Sequence, residues 1–457
     1  MANIIVEAVK YLIILCFAFY TYECFVVLRG TVSAKKKNRI FIRQRVFMFV
    51  IHFGAFLALY VTTEEISILF FYLFQVVFFS ILLTCYQLFY ENCSMLLVNN
   101  MCMLLSIGFI MLTRLSFQRA VKQYIIALIT AGLTLFIPLV VQKMTWLKKF
   151  GWVFALFGIC ALLVVTVFGS TTYGAKISIS IAGFSVQPSE FVKILFVFFT
   201  ACMLWQSTDF LRVAITTSIA AAPVLILVAS KDLGGALIFF ITYLIMLYVA
   251  TRKLFYLTAG LLSGCVAAIA AYRLFSHIRV RVLAWSDPLS VIDNEGYQIS
   301  QSLFAIGTGG WFGMGLNQGT PNRIPIVEQD FIFSAISEEM GGVFALCLIM
   351  VCVSCFLMFL NIAMQMRDQF YKLAALGLGI LYGFQIFLTV GGAIKMIPST
   401  GVTLPLVSYG GSSLLSTMIL FAVIQGFYML KQKEGDLNGA KGNGREYFSQ
   451  EESFREK

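Results

Sequence analysis

Residues 66–90 read ISILFFYLFQVVFFSILLTCYQLFY, an apolar run without any Asp, Glu, Lys or Arg. A helix that crosses the hydrocarbon core of a bilayer needs about 20 such residues, so this run predicts a membrane-spanning helix. Similar runs occur near 9–28, 46–62, 94–113, 124–142, 150–170, 189–205, 213–230, 233–250, 254–273, 335–361, 372–394 and 405–429. The sequence therefore predicts an all-α polytopic membrane protein with about thirteen spanning helices.

The composition of the 457-residue chain agrees, with 60% hydrophobic and only 12% charged residues. Soluble domains carry roughly a quarter charged residues. This excludes a soluble enzyme, a disordered protein and a nucleic-acid binder that works from a basic surface. The net charge of +11 is explained either by basic cytoplasmic loops or by an anionic lipid substrate. The 11 cysteines mostly lie in apolar runs, which predicts neither disulfides nor a zinc site.

Basic residues between the spans predict the orientation. They collect in cytoplasmic loops, and counting the spans puts three basic segments on one side. These segments contain Arg29, Lys35, Lys36, Lys37, Arg39, Arg43 and Arg45, then Lys143, Lys148 and Lys149, then Arg252 and Lys253. The N-terminus is then outside and the C-terminus inside, although Arg114, Arg119 and Lys122 fall outside against the rule. The charged, Gly-containing segment 431–457 is predicted to be a disordered cytoplasmic tail.

Ionisable residues at membrane depth are costly and often functional, and two short motifs contain them. In QPSEFVK, residues 187–193, Pro suits a helix start, Glu190 lies in the first turn, and Lys193 one turn deeper either snorkels outward or holds an anion. In KDLGG, residues 231–235, Lys231 lies in a tight turn between two spans. A capped turn explains this second motif without any ligand.

A long loop, residues 274–334, is predicted on the outer side. Arg279 and Arg281 in this loop are suited to clamp a diphosphate by paired hydrogen bonds. Asp330 lies just before a span, where partial desolvation would raise its pKa and make it a general base. The alternative is that Asp330 only caps the following helix.

The stretch from Lys395 to Ser413 is too polar and too rich in Gly and Pro for a straight span. Bare backbone cannot face lipid, so this stretch is predicted to be a broken segment that lines a cavity. Its hydroxyl groups, including those of Ser408 and Ser412, either hold phosphate or sugar oxygens or allow close helix packing.

Together these motifs resemble the SEDS family (RodA, FtsW and SpoVE). The matching stretches, in family order, are QPSEFVK, DLGGALI, GYQISQSLFAIGTGGWFGMGL, DFIFSAISEEMGG and PSTGVTLPLVSYGGSS. The resemblance covers about residues 94–430, which would be the ten-helix family core. Residues 1–93 would be a three-helix N-terminal extension. The segment before Asp330 is shorter than the family pattern and lacks its Pro.

The resemblance implies a bacterial peptidoglycan glycosyltransferase in the cytoplasmic membrane that polymerises lipid II at the outer face, beside a class B penicillin-binding protein. It implies that Asp330 is the essential loop aspartate and that Lys193 is the conserved lysine after QPSE. Asp330 would take the proton from the acceptor hydroxyl while cations stabilise the departing diphosphate. The predicted substrate-binding residues are Lys193, Glu190, Arg279, Arg281, Lys231, Lys395, Ser408 and Ser412.

Other interpretations stay open at this stage. A divalent cation, Mg²⁺ or Mn²⁺, would assist as a Lewis acid if one binds, but no residue pattern requires it. A lipid II flippase would use a similar cavity without chemistry. A non-catalytic scaffold for a penicillin-binding protein is supported only by the shortened segment before Asp330. Membrane lipids are expected partners and nucleic acid is not.

Overall fold

The structure, a computed structural model, describes residues 2–29, 32–143, 145–172, 175–181 and 184–455. In this part of the chain, 13 helices are long and apolar enough to cross a membrane, which confirms the prediction of a multi-pass helical membrane protein. The first three spans are α1 (Ala2–Leu28), α2 (Ala34–Thr63) and α3 (Ile66–Phe89). Helix α2 begins at Ala34, before the predicted start of the span at residue 46. The basic segment that precedes the apolar run is part of the same helix.

The remaining elements follow in order. They are α4 (Met95–Leu115), α5 (Phe117–Thr134), α6 (Ile137–Lys143), α7 (Gly151–Phe168), α8 (Ser189–Gln206), α9 (Phe210–Ala229), α10 (Leu233–Thr251), α11 (Leu254–Leu274), α12 (Ser276–Ser286), α13 (Tyr297–Gly309), α14 (Ile332–Gln365), α15 (Gln369–Ala393) and α16 (Gly411–Arg455). The last span thus begins at Gly411 rather than at the predicted 405. Helix α16 continues through most of the tail that the sequence predicts to be disordered. Lys, Gln and Glu in that tail have good helix propensity, which favours this continuation.

A small antiparallel sheet between α7 and α8 is absent from the sequence prediction. Its strands are β1 (Ser170–Thr172), β2 (Ala175–Ile181) and β3 (Phe184–Val186), in the order β1-β2-β3. The stretch ISISI, residues 177–181, alternates apolar and polar residues with the period of a strand. This alternation is a sequence signal that a search for long apolar runs does not detect.

The most buried span is α4, with 94% of its apolar stretch buried, and α2, α5 and α14 pack on it. The extension α1–α3 packs on the other helices through α1 on α14 and α2 on α4. A buried polar chain joins the two parts: the Tyr20 hydroxyl donates to Asn100 Oδ1 at 2.9 Å, and Asn100 Nδ2 donates to Ser354 Oγ at 2.7 Å. A buried amide without such partners would be destabilising, so these hydrogen bonds fix how the extension packs on the rest of the bundle.

Helix α14 has a break at Gly341, where φ is +87°. The loop after α13 docks on this break: Gly342 N donates to Gly310 O at 2.8 Å and Val343 N donates to Trp311 O at 3.1 Å. An added side chain is excluded here, because a Cβ on Gly341 would lie 2.4 Å from Gly313 N. We call residues 310–320 the docked loop.

The extension also holds the docked loop. Lys10 Nζ donates to Gly313 O at 3.2 Å, and Asn317 Nδ2 donates to Thr62 Oγ1 at 3.0 Å. Lys10 is buried and forms an ion pair with Glu7. The ends of α1 and α2 therefore contact the loop that leads into α14.

We expect Thr62→Val to destabilise the protein by about 1 kcal/mol, because it leaves the Asn317 amide without its acceptor. Thr84→Val is the matched control, since the Thr84 hydroxyl is exposed and bonds only within its own helix, to Ser80 O. Thermal unfolding of the purified proteins in detergent measures the difference. Equal stability of the two variants would show that the contact between extension and loop contributes nothing.

Candidate active site

Asp330 ends the long segment between α11 and α14. Helix α14 begins at Ile332 with Phe331 in the capping position and no side-chain cap, so the alternative of Asp330 as a helix cap is wrong. Asp330 faces the segment before α16, because a Cβ on Gly401 would lie 3.6 Å from Asp330 Oδ2. Gly401 has φ +73°, a conformation that favours glycine.

The carboxyl group of Asp330 has a raised proton affinity. Burial raises its pKa to about 6, and the nearby Arg281 guanidinium opposes part of this rise. Desolvation disfavours the charged form of a carboxyl group. The sequence prediction of a raised pKa at this position is therefore supported by the surroundings of Asp330.

Of the two predicted arginines in α12, only Arg281 reaches these groups. Arg281 is half-buried and its Nη1 donates to Ser399 O at 3.2 Å. Burial lowers the pKa of its guanidinium, while the charges of Asp330 and Asp232 oppose this shift. Arg279, two residues earlier, is exposed. Arg281 thus lies in electrostatic range of two carboxylates that are distant in sequence.

Asp232 caps α10, and its Oδ1 accepts a hydrogen bond from Gly235 N at 2.8 Å. This confirms the capped-turn reading of KDLGG. Burial raises the pKa of Asp232, and the bond from Gly235 opposes that shift. Lys231, in the same turn, has φ +66° and is exposed.

Lys193 is buried with 4% of its surface exposed, so the snorkelling alternative is wrong. Its Nζ donates to Glu190 Oε2 at 2.6 Å and to Gln385 Oε1 at 2.8 Å. Glu190 Oε2 also accepts from Ser416 Oγ at 2.9 Å. These contacts join α8, α15 and α16 around one ion pair.

Gln385 was not predicted from the sequence. It bonds Lys193, and its Nε2 donates to Thr403 O at 3.0 Å, so it connects the ion pair to the segment that faces Asp330. A lone Gln in the apolar run 372–394 is the signal that would have found it.

The predicted residues of the broken segment have mostly structural contacts. The buried Ser408 hydroxyl donates to Gln329 O at 2.5 Å and accepts from Leu404 N at 2.9 Å. Ser412 Oγ accepts from Gln187 N at 2.9 Å. Lys395 has φ +61° and its carbonyl accepts from Trp285 Nε1 at 3.1 Å. These bonds place the segment beside Asp330.

A small cavity connects the QPSEFVK motif, the KDLGG turn and the broken segment before α16. It has a volume of about 40 Å³ and is lined mainly by α8, by the start of α10 and by residues 401–403. Its polar lining comes from Gln187, Ser189, Glu190, Lys193, Asp232 and Thr403. Such a volume holds a few water molecules but not a sugar. A substrate therefore needs this region to open or binds at its rim.

The cations that contradict the orientation rule have partners in this region. Arg114 Nε donates to Glu339 Oε1 at 2.8 Å, and Arg114 Nη2 donates to Gly319 O at 3.1 Å. Arg119 forms an ion pair with Glu328 and lies over the Tyr409 ring. These arginines hold the long loop against the bundle. Their structural contacts explain why they occur in a segment that is not predicted to be cytoplasmic.

The donor groups for a metal ion are scattered. In the described ranges, no three or more His, Cys, Asp or Glu side chains come together, and every cysteine is free. The charges of Asp330 and Asp232 both act on the Arg281 guanidinium, which would repel a cation bound beside either carboxylate. The divalent cation stays a prediction, and no step below uses one.

Comparison with known proteins identifies the family. A profile of the family described as cell cycle protein (FtsW, RodA, SpoVE) matches residues 93–432. Peptidoglycan glycosyltransferase RodA of Mycobacterium tuberculosis (strain ATCC 25618 / H37Rv) is 38% identical over 297 residues, which are 61% of this chain and 63% of that protein. Stage V sporulation protein E of Bacillus subtilis (strain 168) is 33% identical over 307 residues, 64% of this chain and 81% of that protein. The match thus spans less than two thirds of the mycobacterial relative.

Solved structures show the same fold. Rod shape determining protein RodA of Thermus thermophilus matches with a TM-score of 0.56 at 22% identity, over 74% of this chain and 98% of that chain. A chain of a peptidoglycan synthase complex that coordinates polymerization and crosslinking matches with a TM-score of 0.64 at 23% identity, over 74% and 98%. The residues that the family profile matches include Lys193, Arg281 and Asp330. This chain belongs to the FtsW, RodA and SpoVE family of cell cycle proteins.

Proposed function

We propose that the chain is a peptidoglycan glycosyltransferase that polymerises lipid II. The observation that carries this proposal is a carboxylate, Asp330, which is partly desolvated near Arg281 and faces Gly401, a residue that lines the polar cavity. The names of its relatives, peptidoglycan glycosyltransferase RodA and FtsW, support it. The proposed place is the cytoplasmic membrane of a bacterium, with Asp330 on the outer face.

The reaction is an inverting transfer. The Asp330 carboxylate takes the proton from the 4-hydroxyl group of an acceptor GlcNAc, and that oxygen attacks the anomeric carbon of a lipid-linked MurNAc. The bond from this carbon to the diphosphate breaks, and undecaprenyl diphosphate leaves with the electron pair. A carboxylate whose pKa is near 6 is mostly ionised at neutral pH and is a stronger base than an ordinary Asp.

The departing diphosphate carries growing negative charge, which fixed cations stabilise. We assign this role first to Arg281, whose guanidinium has backbone oxygen and distant carboxylates around it but no direct ion pair among the described residues. Lys193 is already paired with Glu190 and bonded to Gln385. It therefore holds the segment 401–403 in place and contributes positive charge at longer range.

We expect Arg281→Gln to move the acid side of the pH–rate profile to higher pH. Arg281 lowers the pKa of Asp330, so its removal raises that pKa further. Because a general base works when deprotonated, activity falls as the pH drops through the pKa of Asp330. The measurement is kcat/KM against pH, with Arg279→Gln on the exposed face of α12 as the control. An unmoved profile in Arg281→Gln would contradict the electrostatic coupling.

The test of the proposed function is polymerisation of purified lipid II by the purified chain in detergent, followed on a gel. Glycan strands are the expected product. A flippase or a scaffold makes no strands without another polymerase, so a preparation that produces none would overturn the proposal. A class B penicillin-binding protein is the proposed partner, and the reaction should be measured with and without one.

A further inference from the structure

One face of α2 changes from cationic to apolar along its length. Lys35, Arg39, Ile42, Val46, Phe49, Phe53 and Leu57 follow each other at spacings of three and four residues. Residues with this spacing lie on one face of a helix. Lys35 and Arg39 are exposed. Ile42, Val46 and Phe53 are also exposed, each over more than half of its surface.

The apolar part of this face is one wall of a groove. Val9 and Leu12 of α1 line the groove together with Ile42, Val46, Phe53 and Leu57, and its volume is about 530 Å³. Fifteen residue steps from Ile42 to Leu57 span about 22 Å at 1.5 Å per residue. Half the hydrocarbon core of a bilayer is about 15 Å thick. The groove is therefore long enough for the acyl chain of a lipid in one leaflet.

The cationic end of this face has little neutralising charge. Residues 34–45 contain no Asp or Glu, and among the ion pairs of the described residues only Arg43 in this segment is paired, with Glu23 at 2.6 Å. Arg45 lines the groove and its Nε donates to Asn99 Oδ1 at 3.3 Å. Lys431 of α16 lies within electrostatic range of Lys37. Cations from the extension and from the core thus lie at the same end of α2, with Lys35 and Arg39 on the groove face.

This end lies far from the candidate active site. Thr62, at the other end of α2, contacts Asn317 in the docked loop, on the side of Asp330. Helix α2 has 30 residues, which is about 44 Å from its first to its last residue. The cationic end therefore lies on the opposite side of the membrane from Asp330.

We infer that this face of α2 binds an anionic phospholipid, with the headgroup phosphate on Lys35 and Arg39 and one acyl chain in the α1–α2 groove. The phosphate of such a lipid matches the cationic part of this face, and its acyl chain matches the apolar part that follows along the helix. Lys and Arg beside a spanning helix favour anionic lipids by roughly 1 kcal/mol each. The site belongs to the extension and lies outside the residues that the family profile matches.

Native mass spectrometry of the delipidated full chain tests the site with two lipids of the same acyl chains, phosphatidylglycerol and phosphatidylcholine. We expect phosphatidylglycerol to bind at least fivefold more tightly. The double variant Lys35→Gln and Arg39→Gln should lose this preference. The double variant Arg252→Gln and Lys253→Gln, in the basic turn between α10 and α11, should keep it. Equal binding of both lipids, or equal losses in both variants, would overturn the inference.

The groove is tested separately. Val46→Trp should fill it and weaken phosphatidylglycerol binding at least fivefold, whereas Leu262→Trp on α11, where Leu262 is 68% exposed, should not. Soluble glycerol phosphate, which lacks the acyl chains, should not compete at lipid concentrations. Competition as strong as that of the intact lipid would show a simple phosphate site and would contradict the role of the groove. All of these positions are exposed, so the variants should fold, and the thermal unfolding temperature checks this.

Discussion

Asp330→Asn should lower lipid II polymerisation by about 10² to 10⁴-fold, the usual contribution of a general base. Asn keeps the shape of the side chain but does not take a proton from the acceptor hydroxyl. The measurement is the initial rate of strand formation by purified protein. Asp293→Asn is the control, because Asp293 is an exposed aspartate in the same long loop.

The same variant separates catalysis from folding. The pKa of Asp330 is raised in the folded protein, so the folded state becomes less stable as the pH rises from the usual Asp value through about 6. Asn carries no charge and removes this penalty. We expect Asp330→Asn to unfold at the same or a higher temperature than the parent at neutral pH. A variant that is inactive because it is unfolded, or one that keeps parental activity, would contradict the assignment.

Lys193→Met should destabilise the protein by about 3 to 5 kcal/mol, because it leaves the mostly buried Glu190 carboxylate without its cation. The exposed fractions of the two side chains are 5% and 14%. The bond to Gln385 is lost as well, so the segment 401–403 loses its anchor and activity should fall with stability. Thermal unfolding and strand formation measure the two effects.

A double variant distinguishes the causes. Adding Glu190→Gln to Lys193→Met removes the unpaired charge, so we expect much of the lost stability to return. Activity should stay low, because neither the positive charge nor the contact to Gln385 is restored. Lys253→Met, at an exposed lysine, is the control. If Glu190→Gln does not restore stability, the pair is not the main source of the loss.

Much of the fold was predictable from the sequence. The length of each apolar run follows from the thickness of the bilayer, and this gave the thirteen spans. The predicted starts of α2 and α16 were wrong for different reasons. Helix α2 extends beyond its apolar run into the basic segment before it, whereas α16 begins only after the Gly- and Pro-containing stretch has ended. The sheet at β1–β3 was missed because its alternation is short.

The site was predictable in its motifs and not in its contacts. Asp330 and Lys193 stand out as charges near apolar runs, and the resemblance to a family supported them. Arg279 and Arg281 looked equivalent, and only the packing of α12 shows that Arg281 lies in electrostatic range of Asp330. Gln385 is nearly 200 residues from Lys193 in sequence, so no local pattern joins them. Substrate roles of Lys231, Lys395, Ser408 and Ser412 stay predictions.

The break at Gly341 offers a probe of the docked loop. The amide protons of Gly342 and Val343 are bonded to Gly310 and Trp311, outside their own helix. Their exchange with deuterated solvent therefore requires the loop to lift, whereas neighbouring amides in α14 exchange only when the helix unwinds. The ratio of these exchange rates gives the free energy of loop opening in the resting protein. A substrate or partner that lifts the loop would therefore speed the exchange of those two amides before that of their neighbours.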